Sequence, residues 1–311
     1  MKIPRDRNDV TVSAGGKSVA LTNLNKVFFP ELGKTKGDLL QYYADVAPYL
    51  LPHVKDRAMV MKRYPNGAAG DFFFMKETPN PHPSWLETVG IEHSSGKIVN
   101  FPVINDLASL LWLINLGCID LNQWYSRIDD VDRPDYLVFD LDPGSASFAR
   151  VRDVALLLHD GLTSLKIPNY AKTTGSHGIH VYVPIVRGPL QSEVHEVAKQ
   201  FAAAMVRHDP KLMTLTYNKA KRPDRSVLVD YNQNRWGATL ASVYSVRPTP
   251  RASVSAPVTW EEIEKGIEIE DFRMDNILKR LEKTGDLWKP LLAKTKRFNL
   301  EKLIGSDETS S

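Results

Sequence analysis

At 311 residues, 42% of them hydrophobic and 25% charged, the chain has enough apolar material for one large domain or two closely packed ones. Forty basic residues against 37 acidic ones give a formal charge of +3, a surplus that neither demands nor excludes a nucleic-acid partner. The single cysteine, Cys118, excludes a disulfide framework within the chain; the start carries no apolar signal region and the longest apolar run, 107–116, is too short for a membrane span, so a cytoplasmic protein is expected.

Residues 1–18 are polar and read as an extended lead-in, with a short strand at 19–22. Thr35 reads as the N-cap of a helix with Asp38 in its first turn, and Leu39, Leu40, Tyr43, Val46, Ala47 and Leu50 follow at helical spacing. Lys26, Lys34 and Lys36 flank that helix start, an end that suits phosphate, although surface lysines are also commonly just solvated. A strand over 59–64 ends in Lys62 and Arg63 and turns at Pro65-Asn66-Gly67. Phe72, Phe73 and Phe74 come next. Three in a row cannot all face one side of a strand, which leaves open a strand covered on both faces or a base-stacking platform beside Lys62, Arg63 and Lys76.

An apolar helix over 104–116 opens at Asn105-Asp106 and closes at Gly117. The alternating strand 119–125 carries Asn122. Tyr136-Leu137-Val138-Phe139 then enters a core as a strand and delivers Asp140 and Asp142 to one face before Pro143-Gly144 ends it. Paired carboxylates of this kind cap turns or share a divalent cation. Val227-Leu228-Val229-Asp230 adds a third carboxylate from another strand, which favours magnesium or manganese. A helix over 149–159 stops before Gly161. Lys172 to Pro184 reads as strand, Gly175-Ser176-His177-Gly178 loop and strand, either a phosphate-holding loop with Thr, Ser and His donors or a plain hairpin with His180 satisfied in the core.

An amphipathic helix covers 191–207. The basic loop 217–225 holds Lys219, Lys221, Arg222 and Arg225 and runs into the Asp230 strand. A short strand over 243–248 carries Arg247, and a Pro/Ser loop follows over 249–258. Thr259 and Glu262 form a capping box for a helix stopped by Gly266, a further helix spans 271–283, and the chain past 292 reads as a polar tail.

With these residues laid out, the chain resembles the polymerase domain of bacterial DNA ligase D, of the archaeo-eukaryotic primase superfamily. The likeness runs from about residue 21 to 292. It rests on Asn-Lys-Val-Phe-Phe-Pro (25–30), Thr-Lys-Gly-Asp (35–38), Lys-Arg-Tyr-Pro-Asn-Gly (62–67), Asp-Leu-Asp-Pro-Gly (140–144), Thr-Gly-Ser-His-Gly-Ile-His (174–180), Val-Asp-Tyr-Asn-Gln-Asn (229–234) and Tyr-Ser-Val-Arg (244–247), in the family's order. The resemblance implies an α/β fold with a central, mostly antiparallel sheet flanked by helices and an N-terminal subdomain. Its divisions would be a lead-in over 1–20, a primase-polymerase domain over 21–292 and a tail over 293–311.

The resemblance also implies template-directed nucleotidyl transfer that fills gaps and extends ends in DNA break repair by non-homologous end joining, on DNA bearing a 5′-phosphate and favouring ribonucleotides. Asp140, Asp142 and Asp230 would bind two Mn2+ or Mg2+ ions. Thr174, Ser176, His177, His180, Arg247 and Asn122 would meet the NTP or dNTP. Lys26 and Lys36 would grip the 5′-phosphate, with Arg63, Phe73 and Phe74 against the DNA. Lys219, Arg222 and Arg225 would contact template or partner strand. Ku and a separate ligase are implied partners, at the bacterial nucleoid. The sequence departs from the family where Asn122 replaces a usual histidine, His177 a lysine and Thr174 a serine. A primer-independent primase and a non-catalytic DNA-end-binding module are the rival readings.

Overall fold

A computed structural model of the chain describes residues 1–304. The chain forms two compact units, each assembled from separate segments. The first takes Met1–Asp129, Thr239–Ser255 and Phe272–Gly285, and the second takes Asp130–Ala238, Ala256–Asp271 and the chain from Asp286.

In the first unit the expected lead-in is instead a hairpin, Val10–Ala14 paired with Lys17–Leu21. Gly15 and Gly16 turn it at positive φ, and its alternation buries Val19 and Leu21. The Lys36–Val54 helix starts at a capping box in which the Asp38 amide donates to the Thr35 hydroxyl. Its predicted apolar stripe is buried. The Leu107–Asn115 helix, capped by Asp106, packs on that helix and on the hairpin. An antiparallel sheet orders Thr239–Ala241, Cys118–Trp124, Met59–Arg63 and Phe73–Met75. A further hairpin, Thr88–Glu92 with Ile98–Pro102, has no counterpart in the sequence reading.

Two expectations fail here for the same reason: side chains or single bridges replace a regular ladder. No strand forms over 243–248. Tyr244 sits at φ +61°, the Val246 amide donates to the Tyr43 hydroxyl, the Leu121 amide donates to the Ser245 hydroxyl, and one bridge joins Val246 to Val254. The helix expected from 271 begins only at Ile277, because Phe272 and Arg273 are drawn into pairing with Val254 and Ser253.

The second unit is built on a six-stranded sheet ordered Met213–Thr214, Val227–Asp230, Tyr136–Asp142, Ile179–Pro184, Tyr170–Thr173 and Pro257–Val258. Every pairing is antiparallel except that between Met213–Thr214 and Val227–Asp230. The Phe148–Ser164 and Gln191–His208 helices close on one face, where Leu162 and Phe201 meet Leu137, Phe139 and Val183. Since side chains alternate, Asp140 and Asp142 project from the other face. The first of these helices runs through Gly161 to bury Leu162, one turn beyond the expected stop.

Residues 293–304 are not a loose tail. The Arg297 guanidinium donates to the carbonyls of Asp135, Ile185 and Leu291, Phe298 pairs with Ile185, Leu300 is buried, and a helical turn spans Glu301–Ile304. The rest of the expected tail, 305–311, lies outside the described residues. Among the described residues no helix is long and apolar enough to cross a membrane.

Candidate active site

The strand register assembles the centre of the site. Asp140 pairs with Asp230 on one side and His180 on the other, and His180 pairs with Lys172 one strand further. Register partners share a face, so four neighbouring strands carry a row of Asp230, Asp140, His180 and Lys172. Lys172 is fully buried (0% exposed), with its ammonium 2.7 Å from His180 Nδ1. An ammonium only donates, so Nδ1 accepts and the neutral ring carries its proton on Nε2. That nitrogen lies 3.3 Å from Asp140 Oδ1. The lysine thus fixes which edge of the histidine faces the carboxylate.

Asp142 and Asp230 are engaged elsewhere. Arg222 Nη1 stands 3.3 Å from Asp142 Oδ1, which also accepts from the Gly144 amide at 2.8 Å. Asp230 accepts from the Tyr217 hydroxyl at 2.8 Å, the Asn232 amide at 2.8 Å and Gln233 Nε2 at 2.9 Å. Burial pushes the Asp230 carboxyl above its usual range; the Tyr217 bond pulls it back and the Asp140 charge adds to the rise. Among the described residues no three His, Cys, Asp or Glu side chains converge as a ready metal site. The donor set nevertheless fits a hard divalent cation in kind: three carboxylates, two as register partners and the third two residues along. Asp142 and Asp230 would exchange Arg222 and Tyr217 for it.

In the 174–178 loop the Thr174 hydroxyl is buried and accepts from the amides of Ser176, His177 and Gly178 at 3.0–3.1 Å. It shapes the loop from inside. Ser176 and exposed His177 are left on the outer side. Gly175 turns the loop at φ +70°. Gly178 is needed for packing, because a Cβ there would collide with the Leu141 carbonyl of the acidic strand.

The remaining predicted residues divide as follows. Lys219 and Arg225 are exposed, whereas Arg222 is folded inward on Asp142. Asn122 and Arg247 belong to the first unit. Asn122 Nδ2 donates to the Asp120 carbonyl, and Arg247 pairs with the Asp120 carboxylate. In the same unit the Lys26 ammonium donates to Pro65 O and Asn66 Oδ1, and that of Lys36 to Thr22 O. Burial, with a smaller push from Lys26 and Arg63 against the pull of Asp9, lowers Lys36 to about 8. The helix end beside it is already satisfied by Asp38, itself paired with Arg5.

The three phenylalanines settle the alternative left open. Phe72, Phe73 and Phe74 are 50%, 44% and 62% exposed, so the segment is no doubly covered core strand. Lys62 stands 4.0 Å from the Phe72 ring centroid and 5.8 Å from that of Phe74, and Arg63 lies 5.2 Å from that of Phe73. Sequence reasoning missed Lys172, Tyr217, Gln233 and Asp120 as members of these constellations. For Lys172 and Asp120 a signal existed, a lone charge inside an apolar strand; nothing local marks Tyr217 or Gln233.

A mostly antiparallel sheet bearing an acidic row on one face, beside a glycine-bounded loop, defines a nucleotidyltransferase of the archaeo-eukaryotic primase type. The likeness is confirmed by structure: the polymerase domain of Mycobacterium tuberculosis ligase D, solved in complex with DNA, superposes with a TM-score of 0.84 at 31% identity over 89% of this chain and 98% of that one. The chain belongs to the LigD primase-polymerase domain family, whose sequence model matches residues 35–288. The multifunctional non-homologous end joining protein LigD of Mycolicibacterium smegmatis is 36% identical over 281 residues, 88% of this chain and 36% of that protein. The bifunctional LigD of Bacillus subtilis is 32% identical over 85% of this chain and 42% of its own length. The chain therefore spans roughly two fifths or less of these curated relatives.

Proposed function

We propose that the protein is a template-directed nucleotidyltransferase that fills gaps and extends broken DNA ends in non-homologous end joining, favouring ribonucleotides, with Ku and a separate ligase as partners at the nucleoid. The observation that carries this is the pairing of Asp140 with Asp230 across adjacent strands, with Asp142 two residues on. Asp140, Asp142 and Asp230 would hold two Mn2+ or Mg2+ ions, which supply activation of a primer 3′-hydroxyl and neutralisation of the departing pyrophosphate.

The chain's own residues do the positioning. His180, oriented by Lys172, presents its Nε2 proton beside Asp140. Ser176 and His177, on a loop that Thr174 shapes, take the triphosphate; Arg247 and Asn122, in the first unit, are further candidates for it. Lys26 and Lys36 take the 5′-phosphate, Arg63, Phe73 and Phe74 lie against the DNA, and Lys219 and Arg225 meet the template. Arg222 joins them when it leaves Asp142. Positioning and charge neutralisation are what phosphoryl transfer requires of a protein.

The test is extension of a gapped duplex with manganese, comparing 5′-phosphate with 5′-hydroxyl gaps and ribo- with deoxyribonucleotides. Extension stimulated by the phosphate and lost in Asp140→Ala/Asp142→Ala, with DNA binding kept, is expected. Extension by that double variant would overturn the site. Phosphate-dependent binding without extension by the unaltered protein would identify an end-binding module, and synthesis without a primer would identify a primase.

A further inference from the structure

Asp120 is a buried carboxylate for which the proposed chemistry has no use. It lies inside the Cys118–Trp124 strand and is 1% exposed. Its Oδ1 is 2.9 Å from Arg247 Nε. Its Oδ2 is 3.3 Å from Lys62 Nζ and accepts from the Tyr64 hydroxyl at 3.2 Å. A buried carboxylate needs one cation to offset its desolvation. Asp120 has two, and the trio keeps a net positive charge that an anionic ligand would complete. The two cations also lead to different places. Arg247 belongs to the proposed triphosphate set, and Lys62 lies under the Phe72 and Phe74 rings of the exposed aromatic segment.

We infer that Asp120 is a positioning residue that aims Arg247 at the nucleotide and, through Lys62, sets the aromatic platform, so that nucleotide grip and DNA stacking share one buried counter-ion. The inference rests on the polymerase reading. Asp120 touches neither nucleotide nor DNA; it acts by holding the two side chains that do.

The test measures gap filling with manganese at varied nucleotide concentration. Asp120→Asn keeps the shape and removes the charge. Its KM for nucleotide should rise about tenfold while kcat stays within about threefold. Adding it to Arg247→Ala should raise KM no further than Arg247→Ala alone, because both changes remove one interaction. Affinity for gapped DNA should fall several-fold as the platform loosens, while the preference for a 5′-phosphorylated over a 5′-hydroxyl end, which runs through Lys26 and Lys36, should stay unchanged; DNA affinity equal to that of the unaltered protein overturns the part of the inference that runs through Lys62. Should Asp120→Asn melt below the assay temperature, Asp120→Glu keeps the charge but displaces it, and KM should still rise with kcat held. An unchanged KM in a folded variant, or a loss that adds to that of Arg247→Ala, overturns the inference. An unaltered protein that extends no primer overturns the polymerase reading instead.

Discussion

A lysine ordinarily keeps its charge to about pH 10, and Lys36, proposed above to grip the 5′-phosphate, does not. Burial draws it to about 8 from 10.5. Binding a phosphate dianion requires the ammonium, so above pH 8 the free protein must first take up a proton. The preference for 5′-phosphorylated over 5′-hydroxyl duplex should therefore fade between pH 8 and 9.5, as read by fluorescence anisotropy, while Lys36→Arg should hold it across that window. A preference that stays flat to pH 9.5 in the unaltered protein would remove Lys36 from the phosphate contact. The same shift affects folding with a definite sign. Between pH 8 and 10.5 the unfolded chain holds a proton that folded Lys36 has lost, so this residue's contribution to stability rises with pH there.

At the scale of elements, two glycines that look alike in sequence should respond in opposite directions. Gly161 lies in the Phe148–Ser164 helix with open space around it, so Gly161→Ala should stabilise by about 0.5–1 kcal/mol. Gly178 is pressed on the Leu141 carbonyl, so Gly178→Ala should destabilise by about 1–3 kcal/mol and displace the loop from the acidic strand. Urea midpoints distinguish them. The exposed aromatic segment gives a third contrast. Phe74→Ala should leave the urea midpoint unchanged and weaken gapped-DNA binding by about 1–2 kcal/mol, the scale of one lost base–aromatic stack.

These elements also show what was legible. Caps at Thr35, Asp106 and Thr259 and the strands ending in Asp142 and Asp230 follow from local chemistry, and the sequence reading placed them. Of the 10–21 hairpin only the second strand was read, as 19–22, although its partner and its Gly15-Gly16 turn are local. The irregular 243–255 stretch did not show, because its form depends on partners far along the chain, such as the Tyr43 hydroxyl that substitutes for a strand neighbour at Val246. At the site, the carboxylates and the loop were readable as motifs. The inward turn of Arg222 and the Lys172–His180 contact were not, since each pairs residues whose proximity only the folded sheet creates.

At the scale of the whole molecule, a net charge of +3 says little about DNA, because the cations that matter are grouped rather than numerous. If Lys26 and Lys36 each neutralise one phosphate, replacing both with alanine should lower the salt slope of duplex binding by about 1.8 (2 × 0.9). An unchanged slope across 50–200 mM salt would exclude that role. The interleaved segments were the least legible feature of all. Thr239–Ala241 returns to the sheet of the first unit on a three-residue pairing with Cys118–Trp124, too short to leave a periodic trace.

The Tyr136–Asp142 strand carries one further consequence. Phe139 and Leu141 enter the core from the same run that presents Asp140 and Asp142, so one alternation serves both purposes. A slip of a single residue would turn the phenylalanine outward and the aspartates into the apolar layer. A chain slipped by one residue can then not be partly active. Turnover becomes a head count of correctly folded molecules, and specific activity per native molecule should stay constant across refolding conditions whose yields differ widely.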